Sequence, residues 1–291
     1  MSEVPFDKVV LSCDENPIFL PFIPLVAKAW HKFFPEVVIE LGFVCEVDPK
    51  NGLPLDSRVE QYMDTMAKTS KINITFLPLV EGVSPNNLGK VGRLIVAAEQ
   101  GDAVCLIHDV DSLPLQREYM IKLVEQRIKD TMLCVHVPEV YGNDPFGRFP
   151  MAPTTAEGYV FKRIINPENL SYTELINSWK NLQVYDTNES INNKPDPFSG
   201  DNIYFSDESL LRVLMNRFRE ERLAMTTNVV RDVANIHYDW RNCTNIPDRG
   251  QWHTWNREAL TTGGMIEANL LRPGWAYQED LQPIIDYINE D

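Results

Sequence analysis

Five short apolar runs rich in β-branched residues recur through the first half of the chain, and segments with helical spacing separate them. The runs are KVVLSC (8–13), VVIELGFV (37–44), INITFLPL (72–79), AVCLIH (103–108) and MLCVHV (132–137), and they read as buried strands. Between them, residues 18–33, 57–70, 86–100 and 116–129 carry apolar side chains on one helical face, such as Val59, Met63 and Met66. Strand and helix in strict alternation leave few architectures. The one expected is α/β: a Rossmann-like, mostly parallel central sheet with helices on both faces. Ligands of such sheets bind beyond the carboxyl ends of the strands. That directs attention to Ser12–Asn16, Asn86–Arg93 and His108–Ser112, the polar stretches nearest those ends.

The second half is less regular. Two stretches dense in Pro, Gly, Asn and Asp, 141–156 and 185–202, read as long loops, and long loops in a compact protein are often functional. Helices are expected around LSYTELINSWKNL, in DESLLRVLMNRFREERLAM and in the closing DLQPIIDYINE. The chain of 291 residues is read as one domain.

Charge narrows the ligand. A formal net charge of -15 opposes nucleic acid over most of the surface, so no nucleic-acid partner is expected. A phosphate-bearing ligand then needs a few local cations or a bound metal. The five cysteines are widely spaced inside mostly apolar runs and form no C-x-x-C pair, as reduced core thiols do. No secretory leader is read at MSEVPFDK, and no apolar segment reaches bilayer length, so a cytoplasmic protein with no membrane span is expected.

The sharpest local feature is AVCLIHDVDSLPL, an apolar strand ending in two aspartates spaced i, i+2. On an extended backbone alternate side chains share a face, so Asp109 and Asp111 are expected to point together into the crevice, with Val110 towards the core. Such a pair suits Mn²⁺ or Mg²⁺, which take one or two carboxylates and complete their shell from water and substrate phosphates.

Here the sequence resembles the GT-A nucleotide-sugar glycosyltransferases, whose hallmark is a D-x-D after a mid-chain strand. It is most similar to small soluble members of the kind found in bacteria and large algal DNA viruses. The resemblance implies a GT-A-like sheet, a nucleotide-binding half at 1–137 and an irregular acceptor-side half at 138–291. By that resemblance VVLSCDENPIF is the nucleotide-binding edge, offering Ser12 and Asp14 to base and ribose. Asp14 has an equal reading as a helix N-cap. NNLGKVGRLIVAAEQGDAVCLIHDVD resembles the helix whose basic residues face the nucleotide, which implicates Lys90 and Arg93, spaced one turn apart.

RFPMAPTTAEGYVFKRIINPE is similar to a segment where a Gly-containing strand borders the donor sugar. FSGDNIYFSDES resembles the acceptor-side loop, making Asp201 the candidate base or sugar anchor, with Asn202 and Asp207 as alternatives. GGMIEANLLRPGWAYQE resembles a closing motif in which a histidine before Arg-Pro contacts metal or diphosphate; Asn269 stands there, a possible carbonyl ligand. His237 and His253 are substitutes, and Trp240, Trp252, Trp255 and Trp275 offer sugar platforms.

The activity implied is transfer of a hexosyl or pentosyl group from a UDP- or GDP-sugar to a glycan or glycoprotein acceptor, with Mn²⁺ or Mg²⁺ as cofactor. Asp111 and Asp201 are the catalytic candidates, and Asp109, Asp111 and Asn269 the metal ligands. Two rivals remain. A haloacid-dehalogenase-type, Mg²⁺-dependent phosphatase shares the strand–D-x-D motif and the G-D-x5-D spacing at 200–207. A non-catalytic nucleotide-sugar binding protein is consistent with the Asn269 departure.

Overall fold

A computed structural model of the chain describes residues 4–115, 117–125, 133–135, 153–180, 182, 207–208, 210–211, 213–215, 217–218, 267–269 and 278–290. The first strands are β1 (Lys8–Asp14), β2 (Val38–Cys45), β3 (Ile72–Pro78) and β4 (Val104–Ile107), within a residue or two of the expected runs. The helices joining and following them are α1 (Phe22–Phe33), α2 (Ser57–Ser70), α3 (Pro85–Ala98) and α4 (Arg117–Glu125). They continue through β5 (Ser112–Pro114), β6 (Cys134–Val135), β7 (Thr154–Glu157), α5 (Gly158–Ile165) and α6 (Tyr172–Lys180). Helical residues lie between 207 and 218, and β8 (Glu267–Asn269) and α7 (Gln278–Asn289) complete the described chain.

The main sheet has six strands in the order β3-β2-β1-β4-β7-β6. The first four are mutually parallel, and β7 runs antiparallel between β4 and β6. This is the mostly parallel α/β class expected. Successive β1 residues split between two cores, as a period of two requires. Val9, Leu11 and Cys13 face a cluster built with α1, α2 and α4, whereas Val10 faces one built with α3, α5 and α6. Helices therefore cover both faces. Trp30, fully buried on α1, packs among Phe6, Phe34 and His108 with ring centroids 5.1 to 6.2 Å apart.

The chain steps outward from β1 to β2 to β3, then returns through α3 to lay β4 on the other side of β1. That reversal is the topological switch point, where open α/β sheets bind ligands. β1 and β4 pair only over Lys8–Val10 and Cys105–Ile107. Beyond that β1 continues to Asp14 while the segment after β4 turns away from it.

Two expectations need correction here. The stretch 141–156, read as a loop, ends in β7: Thr154, Thr155 and Ala156 are fully buried. Its short, polar, threonine-rich sequence lacks the apolar signature of an inner strand, and tertiary pairing decides. Gly158 belongs to no strand either; it opens α5. A Cβ there would stand 2.8 Å from Ala97 O, Gln100 C and Gly101 N, so the missing side chain is what lets α5 start against the end of α3. The loop expected at 185–202 lies outside the described residues.

Candidate functional site

The aspartate pair sits at the switch point, but not on a strand. β4 ends at Ile107, and Asp109–Ser112 form a turn closed by the Ser112 N–H donating to the Asp109 carbonyl at 3.3 Å. The shared face expected from an extended backbone is therefore replaced by turn geometry. Val110 does face the core, at 7% exposure, and Asp109 and Asp111 are half-buried. Behind the turn His108 is fully buried, edge-on to the Trp30 ring.

Asp109 is held by Arg93. One guanidinium nitrogen of Arg93 donates to Asp109 Oδ1 and to the His108 carbonyl, the second to Asp207 Oδ2. Arg93 and Asp207 are both buried. Burial by itself would push the Arg93 guanidinium down, but the charges of Asp109 and then Asp207 outweigh it and hold it above its ordinary value. Arg93, expected to face a bound diphosphate, is thus spent on two carboxylates of its own chain. Asp207, an alternative to Asp201 by sequence, is instead the buried partner of Arg93, and the apolar stripe that follows it, Leu210, Leu211 and Leu214, is the signal that fixes it in the core.

α3 reaches this position because it carries glycines where β1 passes. A Cβ on Gly89 would lie 2.9 Å from Asp14 N and 3.1 Å from Cys13 C, and one on Gly92 would meet Leu77 Cδ1 at 2.8 Å. Ser12 lies in the same contact. Its hydroxyl donates to the Gly89 carbonyl and accepts from the Arg93 N–H at 3.0 Å, so it docks α3 on β1. The N-terminus of α3 is capped by Ser84, whose hydroxyl accepts from Asn87 N, with Pro85 in the first turn.

Asp14 ends β1 at 7% exposure. Its carboxylate accepts from Asn16 N at 3.3 Å, within a turn; α1 begins only at Phe22, so Asp14 is no helix cap. Burial raises the Asp14 carboxyl above its usual range, opposed by the Asn16 hydrogen bond, by its own backbone and, more weakly, by the Lys90 charge. Lys90 lies half-buried on α3, near enough for its charge to act on the Asp14 carboxyl.

Asn269 comes to the turn through the backbone. β8 pairs antiparallel with β5, setting Asn269 opposite Ser112, the residue after Asp111. Asp201, Asn202, His237, His253 and the four C-terminal tryptophans named above lie outside the described residues. Among the described residues, no three His, Cys, Asp or Glu side chains gather as a metal site, and no helix is long and apolar enough to cross a membrane. The donor chemistry at the turn still fits a hard divalent cation that takes one or two carboxylates and draws the rest from phosphate and water. Cys13, Cys45 and Cys105 are buried free thiols, and burial pushes Cys45 up to about 12.

No family model matches the chain, and no curated protein matches it. Among solved structures it is similar to the galactosyltransferase LgtC in complex with donor and acceptor sugar analogs, at 15% identity and a TM-score of 0.40 over 78% of this chain and 83% of that one. An active-site mutant of LgtC is similar at 17% identity and a TM-score of 0.39, over the same shares. At such TM-scores the functional reading rests on the residues themselves.

Proposed function

We propose that the protein is a metal-dependent, GT-A-like glycosyltransferase that uses the Asp109–Asp111 turn to hold a divalent cation and a nucleoside-diphosphate sugar. One observation carries the reading: the turn lies at the switch point of a parallel sheet, with Asp109 fixed by a buried arginine and Asp14 at the end of the strand that pairs with β4. Mn²⁺ or Mg²⁺ bound there would neutralise charge on a departing diphosphate.

The chain's own residues divide the work. Arg93 fixes the orientation of Asp109, leaving Asp111 as the principal ligand, and Asn269 is the candidate carbonyl ligand beside it. Lys90 is the cation near Asp14, a candidate contact for the diphosphate, and Asp14 the candidate partner of ribose or base. Ser12, expected to touch the nucleotide, is assigned to the helix contact instead. Catalysis of this kind is mainly positional and electrostatic. Asp201 remains the candidate base or sugar anchor on the acceptor side, and a UDP- or GDP-sugar and a glycan or glycoprotein acceptor remain the expected substrates.

The phosphatase rival is disfavoured by the same ion pair. Its nucleophile would be Asp109, and a carboxylate held by a buried guanidinium is a poor attacking group. The binding-protein rival differs only in turnover.

Thermal unfolding with UDP or GDP, with and without Mn²⁺, tests the proposal, because a ligand of the folded state raises apparent stability. A metal-dependent rise, lost in Asp111→Ala, is expected, together with slow release of free sugar from a nucleotide sugar. Hydrolysis of an aryl phosphate with no nucleotide effect would overturn it.

A further inference from the structure

Away from the aspartate turn, α5, α6 and the helical residues Leu214, Arg217 and Phe218 enclose a cleft of about 120 Å³. Its floor is apolar, with Leu175 and Trp179 of α6 and Leu214 all buried. One wall is the 166–170 loop, which is built to keep its shape. Asn166 ends α5 and uses its side chain twice: Nδ2 donates to the Leu170 carbonyl at 2.9 Å, and Oδ1 accepts from the Leu170 N–H at 2.8 Å. Asn169 takes the left-handed conformation, φ 55°, that lets the loop close. Beyond it the Glu174 carboxylate accepts from the Ser171 N–H at 2.9 Å, which caps the start of α6.

The rim is charged. Arg163 and Arg217 are exposed, and neither forms an ion pair among the described residues. Arg58, Arg93 and Arg117, the other arginines described, all do. In a chain with 42 acidic residues against 27 lysines and arginines, two unpaired guanidinium groups at one cleft call for an acid from outside. Arg163 lies over the Phe218 ring, 5.7 Å from its centre, which holds its head beside the cleft. Glu168 is the one carboxylate of the lining, so the lining carries one net positive charge.

A buried apolar floor with a few polar groups at its edge suits a ligand that has an apolar body and a polar head. A guanidinium fork fits a carboxylate, and one net positive charge matches a singly charged head better than a doubly charged phosphate ester. We propose that this cleft is a second binding site, taking a small organic acid whose apolar ring or chain rests on Leu175, Trp179 and Leu214 and whose carboxylate is held by Arg163 and Arg217. The cleft shares no residue with the aspartate turn or with its Arg93 buttress, and stands apart from the glycosyltransferase reading. Because the net charge of the chain opposes an anion, the affinity comes from these local cations.

The test is fluorine NMR on the full chain, with para-fluorobenzoate as the probe and para-fluorobenzyl alcohol as its uncharged counterpart. Wild type should bind the acid saturably and about ten-fold more tightly than the alcohol, the size of one charge-assisted hydrogen bond. Replacing both arginines, Arg163→Gln with Arg217→Gln, should abolish that preference. Both side chains are exposed, so the fold is retained, and thermal unfolding checks it. Ser178→Phe keeps both arginines and puts a ring into the cleft, and should block both probes. No saturable binding of the acid by wild type, equal affinity for acid and alcohol, or undiminished binding of the acid in either variant overturns the proposal.

Discussion

Two helix contacts in this fold, α3 on β1 and α7 on α1, are made of opposite materials. α3 is pressed onto β1 by side chains that are missing: Gly89 lets the backbones meet, Gly92 leaves room for Leu77 and Ser12, and the Ser12 hydroxyl ties the two elements. α7 is held on α1 by side chains that are long: Lys28 and Lys32 reach across to its last turn. The Gly89 contact has little slack, because an added atom there must displace main chain. A lysine contact bends, exchanges and yields to salt. The Asp109 side of the turn, buttressed through α3, is therefore expected to be the rigid wall, and the α7–α1 contact the one that yields to salt.

The sharpest way to break the rigid wall is Arg93→Ala. It leaves the buried Asp207 carboxylate without its partner and frees Asp109, and losing one member of a buried ion pair costs about 3–5 kcal/mol. Denaturant unfolding should show that loss, and nucleotide binding should fall with it. Arg93→Lys should recover little, since one ammonium has no planar fork with which to serve two carboxylates. A loss under 1 kcal/mol would mean that the guanidinium does not hold the turn.

Gly89→Ala comes next. Its Cβ would press on Asp14 and Cys13 main chain, and overpacking of this kind costs about 1–3 kcal/mol. Gly92→Ala separates steric contact from helix propensity. Its nearest obstacle is Leu77 Cδ1, the end of a flexible side chain, so a smaller loss is expected than at Gly89. Equal losses at the two positions would show that the close backbone approach is not what holds α3 in place.

This contrast also marks what a reader of the sequence can see. β1, β2, β3 and α1 to α4 are legible because each is a long periodic segment whose pattern has one good solution. The aspartate turn is legible as a motif, but its shape is not. The Ser112 to Asp109 hydrogen bond depends on where β4 stops, and β4 stops where its pairing with β1 ends. β7 and β8 are invisible for a related reason: TTAE and EAN are strands only because neighbours accept their backbone. Lys90 and Arg93, one turn apart on one helix, look equivalent in sequence. Asp207, more than a hundred residues away, takes Arg93 out of the solvent and leaves Lys90 near Asp14.

The yielding contact should respond weakly. Lys32→Ala removes a cation from a partly exposed site, and such surface electrostatic contacts contribute about 0–1 kcal/mol. Its signature is the salt dependence more than the size. Wild type should lose stability as ionic strength rises while the variant changes less, whereas Gly89→Ala should show no such difference from wild type. A salt response identical in all three would remove the distinction between the two contacts.

The smallest effect expected is a gain. Asp14 ends the rigid wall as a buried carboxylate whose folded-state value is raised, chiefly by burial. A raised acid favours the folded state when protonated. Its contribution is fully present below the unfolded carboxyl value and is lost as pH climbs through the higher folded value, so at neutral pH the ionised group opposes folding. Asp14→Asn removes that opposition and keeps an oxygen for the Asn16 N–H. The variant should unfold slightly later than wild type at pH 7, with the advantage shrinking as the solution is acidified. If Asp14 also meets the nucleotide, the same variant should lose ligand-induced stabilisation, as residues kept for binding at the expense of stability do. A variant less stable than wild type at pH 7 would show that the carboxylate supports the wall, and would leave the site without the unfavourable charge that a bound ligand is expected to relieve.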